Sequence, residues 1–190
     1  MRDVVFGTVA AAVVVVVVAS GCGGSSDATG PPGSAVAVRT CAMVGSGGLA
    51  PDWRRHALIL GPRALARLRD YNARQPLPPS VGDRHGAYEV IAIVRAGARV
   101  TLSLPAAEWA SVGLIYDPRK FRDNGAYRIG ELDRAVRFEA CRSPAFNHGV
   151  SQFDGGFVVA RPQCVRFAVT TSARKTFTGA FPAAASCRYR

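Results

Sequence analysis

The stretch Ala98-Arg99-Val100-Thr101-Leu102-Ser103-Leu104 alternates apolar and polar side chains. Val100, Leu102 and Leu104 share one face and Arg99, Thr101 and Ser103 the other, the period-two pattern of a half-buried strand. Two later stretches repeat it: Val136, Phe138 and Ala140 align within Ala135–Cys141, and Val165, Phe167 and Val169 within Cys164–Val169. Upstream, Tyr88–Val94 is an apolar run, and Ala96-Gly97 between it and the first stretch predicts a hairpin. Trp109–Tyr116, closed by Asp117-Pro118, and Phe157–Ala160 read as further strands. Asp123-Asn124-Gly125, Asp154-Gly155-Gly156 and Arg161-Pro162-Gln163 supply turns.

One segment breaks the pattern. From Pro62 to Arg74, Leu65, Leu68 and Asn72 fall on one helical side and Arg63, Arg67, Asp70 and Arg74 on the other. Proline suits a first helical position, and Asp70 with Arg74 is a favourable four-residue spacing, so the segment predicts a short helix. Many short strands with one helix favour a mainly β fold, an antiparallel β-sandwich of immunoglobulin-like type, because a parallel α/β sheet needs alternating helices.

Apart from Cys22, the cysteines are Cys41, Cys141, Cys164 and Cys187. An even number in an exported domain predicts two disulfides. An antiparallel register that sets Cys141 beside Cys164 also sets Glu139 across from Arg166, and opposite charges pair well across strands. The expected bridges are therefore Cys141 with Cys164, and Cys41 with Cys187 tying the two ends.

The amino end gives an address. Val4 to Ala19 is free of charge, long enough for a signal-peptide core and short of the roughly 20 residues that span a bilayer. Ala19-Ser20-Gly21-Cys22 follows, with small residues before a cysteine and a polar spacer after it. The arrangement resembles a bacterial lipoprotein signal, or lipobox. That resemblance implies removal of residues 1–21 and acylation of Cys22; the Gly/Ser/Pro-rich composition of 22–38 reads as a flexible tether, and the length and strand pattern of 39–190 as a single sandwich domain. The resemblance places the domain on the outer face of the cell membrane, with the membrane itself a partner through acylated Cys22.

The net charge is +11, from 24 Lys and Arg against 13 Asp and Glu. All but Lys120 and Lys175 of the cations are arginine. Outside a membrane the natural anionic partners are lipid headgroups and wall polymers; a protein or glycan ligand is also open, and no nucleic-acid motif is present. Arg54, Arg55, Arg63, Arg67, Arg69 and Arg74 form a candidate basic patch.

Catalytic signals are sparse. No His-Glu-x-x-His, Cys-x-x-Cys or phosphate-loop motif occurs, so the sequence calls for no metal or cofactor; Gly45-Ser-Gly-Gly48 lacks the Gly-Lys-Ser/Thr ending. Asp83-Arg84-His85 has no nucleophile beside it. Glu131 and Asp133, two apart, read as a solvated pair. Asn147-His148-Gly149-Val150-Ser151 lacks a Gly-x-Ser-x-Gly frame. The least poor catalytic set, His148 with Ser151 and Asp154, describes a small surface hydrolase.

The runs Val136-Arg-Phe-Glu-Ala-Cys141, Gln152-Phe-Asp-Gly-Gly-Phe-Val-Val159 and Arg161-Pro-Gln-Cys-Val-Arg166 resemble the carboxy-terminal half of uncharacterised secreted proteins and lipoproteins of high-GC Gram-positive bacteria. The resemblance implies an exported β domain and assigns no ligand or catalytic residue. The sequence thus leads to a lipid-anchored binding module without catalysis, with the surface hydrolase as the alternative.

Overall fold

Val100, Leu102, Val136, Phe138, Val165, Phe167 and Val169 are each 0 to 2% exposed, so the three alternating stretches do line a core. The computed structural model describes residues 36–45, 48–77, 86–121, 127–142 and 146–187. Ala19–Cys22, read as a lipobox, most of the expected tether over 22–38, Asp83–His85 and Asp123–Gly125 lie outside the described residues.

In chain order the elements are β1 (Ala37–Arg39), α1 (Trp53–His56), β2 (Leu58–Leu60), β3 (Arg63–Leu65), β4 (Gly86–Glu89), β5 (Ala92–Arg95) and β6 (Arg99–Ser103). They continue with β7 (Val112–Ile115), β8 (Ala135–Glu139), β9 (Val150–Phe153), β10 (Gly156–Val159), β11 (Gln163–Thr171) and β12 (Thr176–Ala183). One layer is a five-stranded sheet in the order β1-β8-β6-β11-β12, antiparallel except that β1 runs parallel to β8.

The facing layer comprises two smaller sheets, β4-β10-β7 and β2-β3-β5-β9. They are two halves of one bent ladder. Residues 86–95 pair with 150–159 from Gly86 opposite Val159 to Arg95 opposite Val150 without a slip. Across the bend the Val90 N–H donates to the Gly155 carbonyl at 2.8 Å. A side chain on Gly155 (φ 153°) would stand 2.2 Å from the Ile115 carbonyl oxygen, and one on Gly156 would stand 1.8 Å from that of Tyr88. Asp154-Gly155-Gly156 is therefore the bend within a ladder, where the sequence reading made it a turn.

Aromatic rings join the two layers. Phe157 of β10 meets Phe167 and Phe181 of the five-stranded sheet at 5.5 and 5.1 Å between centroids. Phe138 of β8 meets Phe153 and Tyr116 at 5.1 and 5.0 Å. Such edge and tilted pairs add about 0.5 to 1.5 kcal/mol each beyond the area they bury.

The apolar run before Ala96-Gly97 divides into β4 and β5, and β5 does not form a hairpin with β6. The two lie in opposite layers, because each must turn its apolar face to the same core. Pro62–Arg74 is not a helix: Gly61 (φ 60°) and Pro62 make the two-residue turn of the β2–β3 hairpin. The following β3 lies between β2 and β5 with Arg63, Ala64 and Leu65 all buried. Leu65 faces the main core while Ala64 packs with Ile93 on the other side, a demand for two buried faces that a short helix does not meet. The α-helix is instead the single turn α1.

The disulfides are Cys41–Cys141 and Cys164–Cys187. Cys141 cannot reach Cys164, because β6 stands between β8 and β11; Glu139 accordingly faces Arg99, and Arg166 faces Ala180. The parallel register of β1 on β8, with Arg39 opposite Phe138, delivers Cys41 to the end of β8 where Cys141 stands. Cys187 lies just past β12 and returns to its hairpin partner strand.

Candidate anion-binding site

The best-assembled cationic site lies on the outer face of the β2-β3-β5-β9 sheet. Its floor is apolar: Ile93, Ala64 and Ala57 are buried there, with Trp53 and Val150 packed against them. Ile59 is 52% exposed at its edge. Over that floor opens a cavity of about 240 Å³ whose lining includes Trp53, Arg54, Ile59, Ile93, Arg95, His148 and Val150. Arg54, Arg95 and His148 all border it, and no Asp or Glu is in its lining. A charged ligand with an apolar part would find both halves of its chemistry matched.

Three segments distant in sequence supply these residues. Arg54 comes from α1, with its guanidinium 4.9 Å from the Trp53 ring centroid, a cation–π contact that holds it over the indole. Arg95 ends β5 beside Ile93 on the outward face, two residues away along the strand. His148 lies in a 3-10 turn (Phe146–Gly149) immediately before β9, and its backbone is left-handed at φ 56°. Non-glycine residues adopt that conformation uncommonly.

A four-residue helix does not hold its place by itself. α1 is fastened from outside: the Arg69 N–H donates to the His56 carbonyl at 3.0 Å. The His56 Nδ1 lies 2.6 Å from Asp70 Oδ1, and its Nε2 lies 3.4 Å from Asp52 Oδ2. The hydrogen bond to Asp70, with its negative charge and the second contact to Asp52, raises the imidazole pKa above its ordinary 6.5. Only the imidazolium can donate to both carboxylates at once.

The basic patch read from the sequence survives in part. Arg54, Arg55, Arg67, Arg69 and Arg74 are exposed, and Arg67 pairs with Glu89. Arg63 is not on the surface at all: it is 1% exposed. Its cross-strand neighbour Val94 faces the main core, and its guanidinium sits 4.4 Å from the Phe138 ring centroid. None of its three side-chain nitrogens has a hydrogen-bond partner. Burial lowers its pKa to about 10 against an opposing pull from the Tyr116 hydroxyl, so it remains a cation at neutral pH. The guanidinium is thus on the opposite side of the sheet from the cavity that its backbone helps to line.

The three residues of the hydrolase reading do not assemble. Ser151 is fully buried, its hydroxyl oxygen accepting the Cys141 N–H at 2.8 Å. His148 is exposed and borders the outer cavity, and the exposed Asp154 takes a 3.3 Å hydrogen bond from Gln152 Nε2 at the ladder bend. Among the described residues, no group of three or more His, Cys, Asp or Glu side chains is placed to hold a metal ion.

A second charged cluster was missed in the sequence. Arg39 of β1 is 4% exposed and donates from Nε to the Tyr116 carbonyl at 2.8 Å. It also pairs with Asp133 at 3.3 Å and Asp117 at 3.6 Å. Lys120 completes Asp133 at 2.7 Å, and Arg119 completes Asp117 at 3.0 Å. The Arg119 hydrogen bond, with Arg39 nearby, holds the Asp117 carboxyl down at about 2. Each carboxylate is satisfied by two cations, so the cluster is a fastening for β1 rather than an open site. Asp133, read as a solvated partner of Glu131, belongs to this fastening.

Compared with models of known families, with curated proteins and with solved structures, the chain gives no match. The geometry above therefore carries the functional reading.

Proposed function

We propose that this chain is a lipid-anchored extracytoplasmic module that binds an anionic partner of the cell envelope, without catalysis of its own. The observation that carries the reading is that Arg54, Arg95 and His148 border one cavity over an apolar floor, with no Asp or Glu in the lining. The lipobox at Ala19–Cys22 supports the anchor. So does the way the chain enters the domain: β1, the first described strand, is secured by parallel pairing, by the Arg39 cluster and by the Cys41 bridge. A domain held by one end needs a firm attachment there.

Lipid at Cys22 and an anionic partner are separately testable. The amino-terminal peptide of the membrane-fraction protein should begin at acylated Cys22, and Cys22→Ser should release the protein from that fraction. An unmodified Cys22, or a mature chain beginning elsewhere, contradicts the anchor. The mature domain should bind vesicles containing anionic phospholipid, or isolated wall polymer, with an affinity that falls as salt rises from low to physiological ionic strength. Binding that is absent, or indifferent to salt, contradicts the anionic partner.

A further inference from the structure

The cleft of about 640 Å³ at the end of β8 is lined by Thr40, Cys41, Gly97, Arg99, Glu139, Cys141 and Arg142. Both sulfurs of one disulfide therefore come from residues bordering solvent-accessible space, and they are unequal. Cys41 is exposed, in a 3-10 turn with no buried residue, whereas Cys141 is 6% exposed. Cys141 is also held by its backbone, since its N–H donates to buried Ser151 Oγ at 2.8 Å. Opening the bond would leave Cys141 in place and Cys41 on a surface turn.

The surrounding charge is cationic. Arg99 and Arg142 are exposed in the lining, and the one lining carboxylate, Glu139, lies 3.3 Å from Arg137 and 4.0 Å from Arg99. Cations beside a disulfide draw in an attacking thiolate and stabilise the thiolate that leaves. Cys164 and Cys187 are each partly buried, and neither lines this cleft.

From this arrangement we infer that Cys41–Cys141 is a thiol–disulfide exchange site for small anionic thiols. The thiolate of such a molecule attacks Cys41 Sγ and forms a new sulfur–sulfur bond. The Cys41–Cys141 bond breaks, and its electron pair leaves on Cys141 Sγ, which takes a proton from solvent. The Cys41 carbonyl oxygen lies 3.8 Å from that sulfur, within reach of the new thiol. Because Cys141 stays in place, its thiolate can attack the mixed disulfide at Cys41, expel the small thiol and restore the bridge. The thiol is released unchanged, so the cycle consumes no oxidant or reductant.

The test uses the folded mature chain with 2-mercaptoethanesulfonate as the anionic thiol and cysteamine as a cationic one. Each rate is normalised to the same thiol's rate on a small free disulfide, and adducts are located by acid quench, alkylation and peptide mass analysis. The expected result is an adduct on Cys41 with Cys141 free and Cys164–Cys187 intact. The normalised preference for the sulfonate should be about threefold to tenfold at low salt and should collapse in Arg99→Gln/Arg142→Gln. Both arginines are exposed, so that variant should fold. Adducts appearing first on Cys164 or Cys187, reaction only in denaturant, or a preference unchanged in the double variant would overturn the inference. None of these outcomes bears on anionic binding at Arg54, Arg95 and His148.

Discussion

The five-stranded sheet and the bent ladder opposite it share one core but are built differently. In the first, β6, β8 and β11 turn Val, Leu and Phe inward at every second residue and leave Arg99, Arg137 and Arg166 on the outside. In the second, β3, β7 and β10 are buried along their whole lengths, the ladder bends at two adjacent glycines, and an arginine sits in the core. The difference separates what holds the fold from what bears the candidate site. Regular alternation supplies the scaffold, and the cavity of Arg54, Arg95 and His148 lies on the irregular layer. Departures from local rules are expected to gather where a structure does something besides fold.

The largest effect in this comparison should come from the bridge that ties the five-stranded sheet to the chain's entry. Cys41–Cys141 spans 100 residues and Cys164–Cys187 spans 23. Restricting the unfolded chain predicts losses of about 4 to 5 kcal/mol for Cys41→Ser/Cys141→Ser and about 3 kcal/mol for Cys164→Ser/Cys187→Ser in urea unfolding. The reverse order would mean that β1 contributes little to the folded state.

Next is the bend. Gly156→Ala places a methyl against the Tyr88 carbonyl and should cost about 3 kcal/mol or more by the same measurement, while Gly130→Ala, in open space, should cost almost nothing. Equal small effects would show that the ladder can slip and that the two halves are not rigidly joined.

These contrasts track what could be read from the chain. Val100, Val136, Phe138, Val165 and Phe167 were legible as core because a half-buried strand writes its inward face at every second position. β3 was not, since Leu65 and Leu68 are three apart in either a helix or a strand followed by a turn; only the neighbours β2 and β5 decide. The three residues Ala37–Arg39 read as part of, or just past, a linker. They become a strand through pairing with residues about 100 positions later. The true cysteine pairing depends on that contact and was hidden with it. The site was partly legible as single residues: Arg54 as one of a basic run and His148 as a weak catalyst. Arg95 drew no notice. No periodicity links positions 54, 95 and 148, because tertiary pairing alone brings them together.

Arg63 sharpens the contrast in the opposite direction. An ion taken from water loses several kcal/mol of solvation, and its contact with Phe138 restores about 2 kcal/mol. Arg63→Met, similar in volume, should therefore raise the unfolding free energy by about 1 to 3 kcal/mol. A loss of stability would show that the guanidinium has a favourable interior partner.

The smallest effects should follow pH and should run in opposite directions for the two fastenings. Asp117 titrates near 2 in the folded protein and near 3.8 unfolded, so its contribution is complete above about pH 4 and disappears as pH falls through 2. His56 has the raised value, so its contribution is complete below 6.5 and disappears as pH rises through its folded pKa. Relative to wild type, Asp117→Asn should flatten the acid limb of the melting-temperature profile and His56→Gln the neutral-to-alkaline limb. An unchanged limb in either variant would remove that fastening from the account.

The most direct test of the binding claim compares the two layers at equal charge. Arg54→Gln/Arg95→Gln removes two cations from the bent-ladder face, and Arg137→Gln/Arg166→Gln removes two exposed cations from the five-stranded sheet. Titrated with anionic phospholipid vesicles at low salt, the first variant should bind at least about tenfold more weakly than wild type and the second within about twofold. Equal weakening in both would mean that net charge alone attracts the ligand and that the cavity is not its site.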